Sequence, residues 1–219
     1  MAGNSGGNGM LSTIIEKIAG SDKSIPLLAL NAVEAIFVFI FVKLFGWIAY
    51  DRRYLRGRWF ERPWSPGWRW AFNGMFSKLF TGHGRGVPWP IGPACDCSPH
   101  VSFHPDELNN FQVSAYFQAF DGGRISLGRD VWIARGCALI TTNHDPSDPG
   151  EHLAPEDIEI GDHCWLGANV VVTPGVVLGP YTTVGANAVV TRSFPEGHCV
   201  LAGVPAKKIR DTGCATIRK

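Results

Sequence analysis

IEIGDHCWLGANVVVTPGVVLGPYTTVGANAVVT, residues 158–191, repeats in sixes. From Ile160 every sixth residue is aliphatic: Leu166, Val172, Leu178, Val184 and Val190. The residue that follows is Gly161, Gly167, Thr173, Gly179, Gly185 or Thr191, and the one two places before is Ile158, Cys164, Val170, Val176, Thr182 or Ala188. Such a period suits neither an amphipathic helix nor a meander that turns every 8–12 residues or so. It suits a solenoid, because residues two apart on a strand share a face and a corner must come before the next short strand. Glycine after the aliphatic residue fits a corner that needs either positive φ or close approach to the next coil.

Working upstream, Leu127, Ile133 and Leu139 keep the step, and the pattern then breaks until Ile158. The interruption, TTNHDPSDPGEHLAPED (residues 141–157), is polar and rich in Pro and Asp. An insertion in a solenoid leaves one face as a loop, often the binding face. His144 stands on it between Asn143 and Asp145. Imidazole ionises near neutrality, which suits a general base, and the two flanking residues are acceptor-side candidates.

LGRDVWIA (127–134), the NHD loop, the repeat itself and the closing AGVPAKKIR (202–210) occur here in order. With them, residues from about 123 to 210 resemble the hexapeptide-repeat acyltransferases, and most closely their sugar O-acetyltransferase branch. YLRGRW, VPWP, DELNNFQ and FDGG are similar to acyltransferases associated with capsule and exopolysaccharide synthesis. The resemblance implies a left-handed parallel β-helix, a homotrimer, acetyl-CoA as acyl donor and His144 as catalytic base. It implies that Trp165, Ala168, Ala186 and Thr191 contact the pantetheine arm and that Lys207 and Arg210 lie near the nucleotide phosphates. The amides near Gly167 and Ala168 would meet the oxyanion, and Asp121 falls near the acceptor. Ser114 and Tyr116 stand where relatives have acceptor-side Asn, so sugar contacts do not transfer.

The rest of the chain divides by composition. Residues 1–24 read as a flexible Gly/Asn/Ser tail. Residues 25–80 read as a helical, apolar and aromatic region in contact with a membrane, ending in a run of Arg and Trp that favours anionic headgroups and the bilayer interface. Its opening apolar stretch, residues 25–50, is long enough to span, yet it contains Asn31, Glu34 and Lys43, and a central acidic residue costs about 2.5–3.5 kcal/mol on insertion scales. Packing of this region on the β-helix or on sister subunits is the competing expectation. Residues 81–97 read as a Pro/Gly linker, 98–195 as the β-helix domain with its loop at 141–157, and 196–219 as a C-terminal tail that contributes to CoA binding.

At 219 residues with 45% apolar and 18% charged residues the chain is globular, and a formal charge of +1 makes no case for nucleic acid. Six cysteines without an export signal suggest free thiols in a cytoplasmic protein, at the inner face of the membrane. No metal is expected: Cys95 and Cys97 lack a second pair at zinc spacing, and no further His residues recur at repeat positions to build a carbonic-anhydrase site. The expected activity is O-acetyl transfer to a polysaccharide or lipid-linked oligosaccharide. A non-catalytic trimeric scaffold and acetylation of a small molecule such as serine or an antibiotic are the alternatives.

Overall fold

The computed structural model describes residues 25–120 and 122–212. The expected tail 1–24, Asp121 and residues 213–219 lie outside the described residues. The repeats build a parallel β-helix of the left-handed hexapeptide kind, triangular in section, with one sheet on each side. The first sheet holds β1 (Cys95–Cys97), β3 (Ala115–Gln118), β6 (Cys137–Ile140), β9 (Val171–Val172) and β12 (Val189–Val190). The second holds β2 (Val101–Ser102), β4 (Ile125–Leu127), β7 (Ile158–Ile160) and β10 (Val177–Leu178). The third holds β5 (Trp132–Ile133), β8 (Trp165–Leu166), β11 (Thr183–Val184), β13 (Cys199–Ala202) and β14 (Lys207–Asp211).

Register follows the sixfold step. Trp165 pairs with Thr183 and Val171 with Val189, so three sixes close one coil. Where the loop leaves, Trp132 pairs with Trp165, so that coil is 15 residues longer than the eighteen of the next. The aliphatic residue of each repeat and the one two places before it point inward and are buried from Ile125 to Leu201. Each inward Val, Leu or Ile contributes about 1.5–3 kcal/mol by leaving water. The inward hydroxyl and thiols find carbonyls in their own walls: Thr182 Oγ1 donates to Gly179 O at 2.7 Å, and Cys137 Sγ to Gly167 O at 3.1 Å. Burial pushes the Cys164 thiol up to about 11 and that of Cys95 to about 12. The five described cysteines are free.

For the glycines directly after the aliphatic residue, close approach operates at Gly128, Gly161, Gly167 and Gly179, whereas a Cβ on Gly185 would meet only ordinary contacts. A Cβ on Gly167 would stand 2.7 Å from the amide nitrogen of Ala186 in the next coil. Positive φ falls two residues later, on Asp130, His163, Asn169, Tyr181 and Asn187. Asn and Asp tolerate this conformation through short polar side chains. The bulkier His163, Tyr181 and His198 meet it in an exposed stacked column, with ring centroids 4.6 and 4.9 Å apart.

Two boundaries differ from expectation. β1 lies inside the segment read as linker, because Cys95 and Cys97 alternate inward like the aliphatic residues and pair with β3. β13 and β14 lie inside the segment read as a tail. β14 turns back antiparallel on β13, so it follows no sixfold step.

An open coil end exposes unpaired backbone that must be covered. Here a 3-10 helix, Pro105–Phe111, replaces a third-sheet strand in the first coil, and two of its buried side chains imitate one. Glu107 accepts from the amides of Asp130 and Val131 at 2.9 and 3.0 Å. Asn110 donates to Val131 O and accepts from Ile133 N, both at 2.9 Å. Burial raises the Glu107 carboxyl above the usual glutamate range, against the two amides and Arg58.

Before the coils stand α1 (Ile25–Ala49) and α2 (Pro66–Phe80). They pack parallel at a constant offset: Glu34 pairs with Arg69, and Phe37 and Phe41 meet Phe72 and Phe76. The segment between them therefore has to run back along the pair. Val38, Val42 and Gly46 form the buried side of α1. Lys78 locks the far end, donating to Ala49 O at 3.0 Å and to Val87 O, with its ammonium over the Tyr50 ring. Burial lowers that lysine to about 8.

Glu107→Ala strips acceptors from two amides at the capped end, one of them buried. It should lower the unfolding free energy by about 2–3 kcal/mol, read as a lower urea midpoint with unchanged slope.

Candidate active site

The loop at 141–157 leaves the corner between the first and second sheets, after β6 and before β7, and it is braced internally. Leu153 N donates to Asn143 O and Asp145 N to Glu151 O, each at 2.9 Å. An antiparallel bridge joins His144 to His152 and brings their rings to 4.5 Å at 58°. Thr142 Oγ1 anchors the base by donating to Leu153 O at 2.7 Å. Both His144 and Asn143 are exposed.

Asp145 is turned onto its own loop. Its Oδ1 accepts from Ser147 N at 2.7 Å and from Ser147 Oγ at 2.6 Å, and these bonds hold the carboxyl below its ordinary range. In this geometry Asp145 braces the platform that carries His144.

The other candidates fall into two further groups. Gly167, Ala168 and Ala186 line the corner between the third and first sheets, where Asn187 N donates to Ala168 O at 2.8 Å and Asn169 Nδ2 to Asn187 Oδ1 at 3.1 Å. Among the described residues, the amides of Ala168 and Ala186 donate no backbone hydrogen bond. Trp165, 55% exposed, stands on the third sheet. Lys207 and Arg210 lie exposed on β14 of that sheet. Thr191 follows β12, on the edge that carries the loop.

Within one chain these groups do not meet. The first sheet separates the His144 edge from the Ala168 edge by one six-residue side, about 20 Å at 3.3 Å per residue. Chemistry between an imidazole and a group bound at the Ala168 corner needs reacting atoms about 3–3.5 Å apart.

Reading the sequence missed the His152 partner, the Ser147 clamp and the asparagine pair. The last had a signal, since Asn169 and Asn187 both follow Gly-Ala at the same place in the repeat. Among the described residues no group of His, Cys, Asp and Glu is placed to hold a metal ion.

Residues 157–192 match the model of the bacterial transferase hexapeptide (six repeats). Nodulation protein L of Rhizobium meliloti (strain 1021) is 32% identical over 139 residues, which cover 59% of this chain and 72% of that protein. The chain belongs to the hexapeptide-repeat acetyltransferase family. A protein of Escherichia coli (strain K12) named for lipopolysaccharide biosynthesis O-acetyl transfer is 38% identical over 114 residues, covering 47% of this chain and 58% of that one. Among solved structures, a galactoside acetyltransferase in complex with coenzyme A is 28% identical and covers 56% of this chain and 64% of the other, with a TM-score of 0.40. This hexapeptide-repeat chain spans between 51% and 66% of the length of the first curated relatives it matches.

Asp145→Ala should loosen the loop without unfolding the coils. Amide exchange at residues 144–152 should rise about tenfold. The urea midpoint for global unfolding should be unchanged. Hydrogen-exchange mass spectrometry beside a urea titration checks both.

Proposed function

We propose that this protein is an O-acetyltransferase that moves the acetyl group of acetyl-CoA to a hydroxyl of a saccharide, either a polysaccharide or a lipid-linked oligosaccharide. The observation that carries the reading is the one long break in the coil register, which presents an exposed imidazole on a braced loop. The names of family members, with their acetyl transfer and surface-glycan biosynthesis, support the substrate class.

His144 takes the proton from the acceptor hydroxyl as its oxygen attacks the thioester carbonyl. The Ala168 amide, which donates to no backbone acceptor among the described residues, stabilises the tetrahedral oxyanion as such donors do in acyl transfer. The imidazolium then returns its proton to the departing thiolate, leaving an acetyl ester and free CoA thiol. Trp165 and the Ala168–Ala186 corner of one copy flank the pantetheine arm, Thr191 on the loop-bearing edge of the facing copy borders it, and Lys207 and Arg210 attract the nucleotide phosphates.

The two halves of the site lie on different edges of one prism, so the working enzyme is a homotrimer in which the His144 loop of one copy faces the Ala168 corner of the next. Small apolar side chains at Ala138, Val171 and Val189, half-buried on the outer face of the first sheet, suit that packing. Residues 25–80 hold the enzyme against the cytoplasmic face of a membrane, where lipid-linked saccharides are found.

General-base assistance contributes about 10²–10⁴-fold. His144→Ala should therefore lower turnover by about that factor while CoA affinity stays within about twofold. Thiol release with a crude glycan acceptor and calorimetry with CoA measure the pair. Full activity in this variant removes His144 from the mechanism.

A further inference from the structure

We infer that α1 lies in the plane of an anionic bilayer, bedded in one leaflet by a bare apolar face, and does not cross it. This deepens the membrane contact proposed above and rests on it. It is independent of acetyl transfer.

Val33, Ile36, Ile40, Leu44, Trp47 and Ile48 recur at steps of three and four along α1 and are between 49% and 66% exposed. At about 100° per residue they fill an arc of about 120°. Over Asn31–Ala49 the helix is long and apolar enough to cross a membrane by length and composition. Its polar side chains flank the arc without interrupting it. Glu34 is paired with Arg69 of α2 at 3.2 Å, and the Lys43 ammonium sits 5.0 Å from the Trp68 ring centroid. Asn31 opens beside Pro63, Trp64 and Arg69. The charges that count against insertion on composition alone are thus turned toward α2 and the return segment.

The return segment decides the orientation. It runs back along the side of α1 opposite the arc, with Leu55 against Gly46 at one end and Pro63 and Trp64 beside Asn31 and Ala35 at the other. It carries Arg52, Arg53, Arg56 and Arg62, all exposed. If α1 crossed, Arg62, beside the opening turns of the helix, would travel through hydrocarbon with it, and so would Arg69 on the parallel α2. With the helix in plane, the arc meets acyl chains and the arginines remain among headgroups.

Charge selects the partner. Residues 25–94 contain nine Lys/Arg against three Asp/Glu, and residues 95–212 contain seven against fourteen. An anionic surface attracts the helical region and repels the β-helix, which keeps the coils off the lipid. Covering the same arc with a second copy would bring two basic regions together, so the charge favours lipid over a sister chain.

The test is flotation of the purified full chain with vesicles of phosphatidylcholine alone or mixed with phosphatidylglycerol. The protein should float with the anionic vesicles and far less with the neutral ones. Arg52→Glu, Arg53→Glu and Arg56→Glu together should cut partitioning by at least roughly a hundredfold, and Ile40→Lys with Leu44→Lys by at least about tenfold. Failure to float overturns both the contact and the inference. A change in oligomer mass on altering the arc, with flotation intact, overturns the inference in favour of a sister copy. Inverted membrane vesicles from a bacterial expression host settle crossing: added protease should remove tags at both ends of the chain. An N-terminal tag protected while the C-terminal one is lost overturns the in-plane orientation and leaves membrane contact standing. Thiol release and melting temperature of each variant should match the unaltered chain, so loss of acetyl transfer alone touches only the enzymatic reading.

Discussion

Stacking at the corners is the constraint on which the rest depends. Where glycine follows the inward aliphatic the coils come closest: at Gly167 a single added carbon would press on the Ala186 amide. That contact holds the pitch at three repeats per coil and keeps the inward Ile, Leu and Val in continuous columns. A rigid stack of this kind has little freedom to supply chemistry from its walls. Extra length has to leave at a corner, and that is where His144 stands.

The ends of the stack show the same economy of backbone. At the first coil a true third-sheet strand is missing, and Glu107 and Asn110 supply its hydrogen bonds from side chains. At the last, β14 folds back antiparallel and closes the third sheet while carrying Lys207 and Arg210 on its exposed surface. Capping and the placement of cationic residues are one structural event there, which links coil termination to the proposed nucleotide site.

The helical region answers a different physical demand. Its parallel helices are stitched by a ladder of phenylalanines, Phe37 and Phe41 against Phe72 and Phe76, and the segment between them must retrace the length of α1. An antiparallel pair would have left the arginines at one end. The parallel arrangement carries the return segment from Arg52, Arg53 and Arg56 beyond one end of α1 back to Arg62 near the other, so the region acquires an apolar side and a basic side. An amphipathic surface results even though α1 by itself is apolar nearly all round.

The sequence by itself determined the coil, its inward residues from Ile158 to Val190, the loop and the imidazole on it, because a sixfold period can be satisfied by one geometry only and every register slip would bury a polar residue. It also showed which corner residues are glycine, though not why. Tertiary structure decided that close approach is the reason at Gly128, Gly161, Gly167 and Gly179, that Asp145 braces its loop through Ser147, and that β1 and β14 belong to the prism. It decided as well that the proposed base and the Ala168 corner stand on different edges of one chain. None of these could be read in advance, since each depends on which residues from distant coils come into contact, and local periodicity carries no information about such contacts. The direction of α2 relative to α1 is of the same kind: it is set by the length and packing of the segment between them, and it alone determines where the arginines face.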